Sequence, residues 1–279
     1  MHSAVTLIAS EAPIRFAGFA LAFGLLVTLE FLSPAHKLPQ RLPRWRTNFG
    51  LIAAGTLLLR IAFPVAAFGT AIWAEARGIG LFHFLNLPFA ASFLLTLIAL
   101  DLLIYAQHVV MHRLPFLWRL HKVHHTDTAL DVTSALRFHP LEIALSMVVK
   151  IAAVLAFGCP PAAVLTFEVL LNAAAMFNHA NLRINAGTDG LLRRVLVTPD
   201  MHRVHHSIEP ALQNKNFGFN LSLWDRIFAT YHDAGKAGLA DMHIGLRRDD
   251  INSTRFFWSL ILPFLKSDTD NAASGDNRP

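Results

Sequence analysis

The sequence predicts an all-α fold: a polytopic membrane bundle of helices with a histidine-rich di-metal site at its cytoplasmic side. Three observations predict it. The 279 residues are 54% hydrophobic and only 15% charged, against about a quarter charged in an ordinary soluble domain. Five apolar runs of helical length, at 14–32, 49–73, 87–107, 141–157 and 162–177, punctuate the chain. Two nearly identical blocks, HKVHH at 121–125 and HRVHH at 202–206, recur far apart in sequence.

The first three runs are long enough to cross about 30 Å of hydrocarbon, which takes on the order of 20 helical residues. Arg15 is the first basic residue, so no positive segment precedes the first run and a secretory signal is not expected. The fourth and fifth runs are shorter and are joined by Gly158-Cys159-Pro160-Pro161, a strong turn signal. They read as a helical hairpin that either spans twice or re-enters. Residues 256–265 (FFWSLILPFL) are too short to span and read as an interfacial anchor. Residues 267–279 are polar and read as a disordered tail. The expected organisation is membrane helices over 1–100, a catalytic region over 101–235 that includes the hairpin, a cap and interfacial segment over 236–266, and the tail.

Charge sets the expected orientation. Lys37, Arg41, Arg44 and Arg46 follow the first run, Arg113, Arg119, Lys122 and Arg137 follow the third, and Lys and Arg are frequent beyond Arg183. Residues 74–86 hold only Glu75 and Arg77. The positive-inside rule then puts the N-terminus outside, with both histidine blocks and the C-terminus in the cytoplasm. The net charge of +5 is read as membrane orientation and implies no nucleic acid partner.

One cysteine, Cys159, excludes an internal disulfide and any cysteine-based metal cage, whereas fifteen histidines make imidazole the plentiful ligand. In each block the spacing i, i+3, i+4 puts three rings on one helical face. Before the first block, Asp101, Tyr105, His108 and His112 form one stripe on the third apolar run. A single HxxxH pair arises by chance about once in such a chain, but two HxxHH blocks in roughly one in a thousand. Eight imidazoles exceed what one zinc takes and give about four for each of two metals. Nitrogen-only ligation suits iron, copper or zinc. Carboxylates are then expected to orient the rings through their N–H groups, with Asp101, Asp127 and Asp200 placed to do so. Asp101 in particular is expected to accept from a ligand imidazole, with Tyr105 alongside.

The set HVVMH (108–112), HKVHH and HRVHH resembles the fatty acid hydroxylase/sterol desaturase superfamily of integral-membrane di-iron enzymes. DLLIYAQH before it, LRFHPLE (136–142), NHANL (178–182), and TPDMHRVHHS running on to NKNFGFNLSLWDRIFATY (214–231) match as well, so the likeness covers about Asp101–Tyr231. The resemblance implies His108, His112, His121, His124, His125, His202, His205 and His206 as metal ligands, with His179 as the ninth. Arg183 stands where some members carry a further ligand. It also implies a cytoplasmic helical cap that carries the histidines over the metal pair, and two iron ions, replaceable by zinc in purified protein, with dioxygen as co-substrate and a lipid acyl, alkyl, sterol or carotenoid chain as substrate. No haem or flavin segment is evident, so electrons are expected from a separate ferredoxin- or cytochrome b-type protein docking on the basic face. His139 reads as a helix-start residue or a partner of a ligand. Asn216, Trp224 and Asp225 read as packing the cap, with Asn216 in reach of a metal-bound water. Asp101, Tyr105, Asp200 and Asn216 make up the candidate catalytic set.

Three charges fall inside apolar runs: Arg60, Lys150 and Glu168. Intramembrane charges pair with one another, and Arg60 with Glu168 or Asp101 is the expected bridge. Two rival functions remain at this level. A desaturase shares the metal and oxidant. A metal transporter with a histidine loading site belongs to another class, although transporters place their ligands near the midplane.

Overall fold

The computed structural model describes residues 2–246 and 251–265, with side chains from residue 11 onward. The expected disordered tail lies outside the described residues. Fourteen α-helices are described: α1 His2–Leu32, α2 Arg41–Ala62, α3 Ala66–Glu75, α4 Leu81–Phe84, α5 Phe89–Arg113, α6 Pro115–His125, α7 Pro140–Phe157, α8 Pro161–His179, α9 Ala186–Leu192, α10 Pro199–His205, α11 Pro210–Gln213, α12 Leu223–Ile227, α13 Gly235–Ala240 and α14 Phe256–Ile261. No strand is present among the described residues, so the all-α expectation holds.

Five segments are long and apolar enough to cross a membrane: Glu11–Leu32, Arg41–Glu75, Phe89–Arg113, Pro140–Phe157 and Pro161–His179. The second is two helices, broken at Phe63–Val65, because Pro64 cannot donate its missing N–H. The fourth and fifth of these segments meet at Gly158, whose φ of 69° closes α7 in the left-handed region. Gly80 lies against it: a Cβ there would come 2.1 Å from the Gly158 backbone nitrogen. The loops before α4 and between α7 and α8 therefore seal the bundle at one end.

The opposite end holds the C-termini of α1, α5 and α8 and the N-termini of α2 and α7. α1 packs on α8, α2 and α3 on α7, and α5 on both α7 and α8. α6 and the short helices α9–α13 cover this end, while α14 lies between α2 and the turn that touches α6.

The intramembrane charges pair differently from the expected bridge. Glu168 on α8 bonds Lys150 on α7 at 2.5 Å and also Arg15 on α1, which in turn bonds Glu11. Arg60 is exposed on α2. The cause is helix order: α8 packs on α1, which brings Arg15 to Glu168, while α2, the helix of Arg60, packs on α7. Three cations read as loop charges, Arg44, Lys122 and Arg137, are completely buried instead.

Candidate metal centre

Four helices end at the same place. α5 stops just after His112, α6 at His125, α8 at His179 and α10 at His205. A helix C-terminus carries about half a negative charge from its unpaired carbonyls, so four negative ends converge where the imidazoles gather. Short turns make this possible. Leu114-Pro115 reverses the chain between α5 and α6, and Thr198 caps α10 with Pro199 at its first position.

The nine histidines expected as ligands divide into two groups, each with its nitrogens within 4.8 Å of one another. His108, His112, His121, His125 and His205 form the first; His124, His179, His202 and His206 form the second. All nine are buried. The blocks are shared reciprocally. HKVHH gives its outer pair to the first group and its middle histidine to the second. HRVHH gives its outer pair to the second group and its middle histidine to the first.

The ring hydrogen bonds fix the tautomers. His108 Nδ1–H donates to the Phe217 carbonyl at 2.7 Å, and His121 Nδ1–H to Glu142 Oε1 at 2.7 Å. His124 donates to the Arg137 carbonyl at 3.2 Å, His179 to that of Ala175 at 2.7 Å, and His205 to that of Lys215 at 2.9 Å. With the proton on Nδ1, each Nε2 is a bare lone pair. Yet His108 and His121 Nε2 stand 3.1 Å apart, as do those of His124 and His179. Two lone pairs repel at that distance unless a cation lies between them. Imidazolium is no remedy. Burial, reinforced by the neighbouring rings, pushes His124, His125, His202 and His206 well below the usual imidazole range, and His205 to about 3.

The spacings suit a metal. Nitrogens ~2.1 Å from a shared ion lie ~3.0 Å apart at a right angle and ~3.4 Å apart at the tetrahedral angle. The observed Nε2 separations of 3.1–3.2 Å fall between. His205 Nε2 is buried with no hydrogen-bond partner, as the donor atom of a metal ligand would be. The donor set fits a borderline transition ion and excludes calcium and magnesium, which take oxygen.

Aromatic rings dry the centre. Phe138 stacks on His124 at 4.4 Å, Trp118 lies 4.9 Å from His112, and Phe217 touches the rings of His108, His112 and His205. Behind α6 a buried ionic network holds the loop at 126–139. Arg44 bonds Asp127 at 2.5 and 3.0 Å and Asp131 at 2.8 Å. Burial raises the Asp127 carboxyl, but Arg44 outweighs it and holds the group at about 2. Arg137 reaches the Val123 carbonyl, Asn48, Thr126 and the Ser253 carbonyl, which fastens α6 to α2 and the segment before α14.

The expected orienting carboxylates are elsewhere. Asp101 accepts the indole N–H of Trp224 at 2.7 Å and no imidazole, because Trp224 on α12 reaches α5 two turns before His108. Tyr105 bonds Thr230 at 2.8 Å. Asp127 serves Arg44, and Asp200 pairs with Lys236 at the rim. Asn216, at φ 55°, uses its amide on the Met201 and His232 carbonyls and on the His232 N–H, contacts that hold the cap. His139 is the helix-start residue: Nδ1 accepts from Leu141 N–H and Nε2–H donates to the Leu260 carbonyl. The carboxylate that does hold a ligand ring is Glu142, three residues into HPLE, and its place in the first turn of a helix beginning beside the boxes was the available signal. The carbonyls of Arg137, Ala175, Lys215 and Phe217 had no sequence signal.

A membrane-length helical bundle closed over nine buried imidazoles defines a class of membrane metalloprotein. Residues 93–230 match the fatty acid hydroxylase family, and the chain belongs to that family's superfamily, shared with the sterol desaturases. It is 28% identical over 157 residues to the ornithine lipid hydroxylase OlsE of Rhizobium tropici, covering 56% of this chain and 46% of that one. It is 33% identical over 153 residues to the alkylglycerol monooxygenase of Danio rerio, covering 54% of this chain and 33% of that one. The human alkylglycerol monooxygenase is 29% identical over 155 residues with the same coverage. The chain thus spans less than half the length of these relatives. No solved structure matches the chain.

Proposed function

We propose that the protein is a membrane-bound oxygenase that holds two iron ions in its nine histidines and hydroxylates a C–H bond of a lipid. The observation that carries this reading is the pair of lone-pair contacts, His108 with His121 and His124 with His179, one in each group. Two such contacts call for two cations. The relatives named above are a lipid hydroxylase and alkylglycerol monooxygenases, which favours oxygen insertion over desaturation.

The balance is R–H + O2 + 2 e⁻ + 2 H⁺ → R–OH + H2O. The iron pair would supply dioxygen activation, chemistry that side chains perform poorly. The chain's own residues aim nine rings inward, and Nδ1–H bonds lock the orientation of five of them, His108, His121, His124, His179 and His205. Trp118, Phe138, Phe217 and Phe219 keep bulk water from the rings. Electrons come from a separate ferredoxin- or cytochrome b-type protein docking on the basic face, which we place in the cytoplasm with the histidines.

The test is lipid mass spectrometry of cells with and without the gene under labelled dioxygen. A lipid heavier by one labelled oxygen is expected. A product lighter by two hydrogens, with no label, would replace hydroxylation with desaturation. No lipid change, with metal passing across vesicles, would sink the oxygenase reading.

A further inference from the structure

The short helices over the histidines carry an apolar edge that the metal chemistry does not use. Leu223, Ile227 and Phe228 on and after α12 are exposed, Ile227 by 58%. Leu191, Val195 and Leu196, on and after α9, are exposed as well, Leu191 by 65%. The two stretches are one surface, since Ser222 N–H bonds the Val195 carbonyl at 2.9 Å and Leu196 pairs with Leu221. Arg194 and Arg226 are exposed among them. Exposed apolar clusters of this kind on a soluble surface mark a binding face, and their height along α5 says what binds.

Two contacts fix that height. Trp224 bonds Asp101, and the Phe228 ring stacks on Tyr105 at 5.4 Å. Asp101 lies seven residues before His108, about 10 Å down the helix axis. On the same face of α5, one and two turns deeper still, Ile98 and Leu94 are exposed by 48% and 59%. α5 is one of the membrane-length helices, so these side chains face lipid. The edge of α12 therefore ends immediately above a lipid-facing surface, at a depth of the order that in-plane amphipathic segments reach.

We infer that the two stretches 191–196 and 223–228 together form an interfacial wedge, their six apolar side chains immersed in the hydrocarbon of the leaflet on the histidine side and their arginines at the headgroups. The occupant of this face is the bilayer. Between that lipid and the five-histidine group stand two rings in series. Tyr105 contacts Phe228 on one side and Phe217 on the other, and Phe217 lies 5.1–5.4 Å from His108, His112 and His205. The leaflet thus comes within two aromatic layers of the centre beside α5. This inference needs the membrane-spanning reading but not the reaction chemistry.

Cys159, the single cysteine, is buried, so a Cys159→Ser background allows one label at a time. The full chain carrying Ile227→Cys, Leu191→Cys or, as control, Ala237→Cys on exposed α13 would be labelled with an environment-sensitive fluorophore. It would then be placed in lipid nanodiscs. Labels at 227 and 191 should emit to the blue of the label at 237, lose intensity with doxyl lipids, and resist aqueous iodide. Quenching of the 227 and 191 labels by iodide as strong as at 237, with metal content equal to the parent protein, would overturn the wedge. A second copy of the chain covering the face instead would appear as protection from both quenchers, with dimers by light scattering, and would overturn it too.

Discussion

The two histidine groups are built from the same two blocks, yet they differ in what stands behind them. In the five-residue group His121 is held by a carboxylate, Glu142, while His108 and His205 are held by backbone carbonyls. In the four-residue group His124 and His179 are held by carbonyls alone. A carboxylate makes the imidazole it holds a stronger electron donor. One ion would therefore sit among more and stronger donors, and the other would keep more of its coordination sphere for exogenous ligands. A small crevice of Ala35, His36, Asp200 and Arg203 reaches His179 of the four-residue group from the side of the cap. Near-identical motifs can thus supply two inequivalent centres.

The largest expected effect tests the reciprocal sharing. His124→Ala lies in the first block but the second group, and His205→Ala the reverse. Each should lower bound iron from two towards one and reduce turnover beyond the ~100-fold typical of outer partners. Mössbauer spectra should pair the variants by group: His124→Ala with His202→Ala, and His205→Ala with His121→Ala. Pairing by block would break the comparison, and full activity in either variant would sink the two-metal site.

A smaller effect is expected from Glu142→Gln, which keeps shape and removes the carboxylate charge. Iron affinity or turnover should fall on the order of 10–100-fold, and only the iron signal assigned to the five-residue group should change. An equal change in both signals would show that the groups do not differ in this way.

The smallest effect is expected at Asp101. Asp101→Asn retains an oxygen for the Trp224 N–H, so the loss should be about 1 kcal/mol of stability, read as a lower melting temperature in detergent. Turnover per bound iron should stay normal. A 10-fold or larger fall in turnover with full metal content would return Asp101 to the chemistry.

By itself the sequence determined the all-α membrane bundle, because continuous apolar runs of this length satisfy their backbone in lipid as helices, whereas the strands of a closed barrel would alternate. It also singled out eight imidazoles, because two three-ring blocks at helical spacing rarely arise by chance; His179 was reached only through the resemblance. Local spacing could not decide which ring serves which ion. His121, His124 and His125 share one helical face, and only the approach of α10 and α8 sends His124 to a different centre from its neighbours. Nor could composition separate a loop cation from a buried one. Arg44 and Arg137 look like orienting charges in the sequence, and only the folding of 126–139 against α2 surrounds them with carboxylates, carbonyls and hydroxyls. The partners of Asp101 and Glu142 followed the same rule. Hydrogen bonds reach only about 3 Å, so each carboxylate goes to whichever donor the packing brings close: Trp224 for one and His121 for the other.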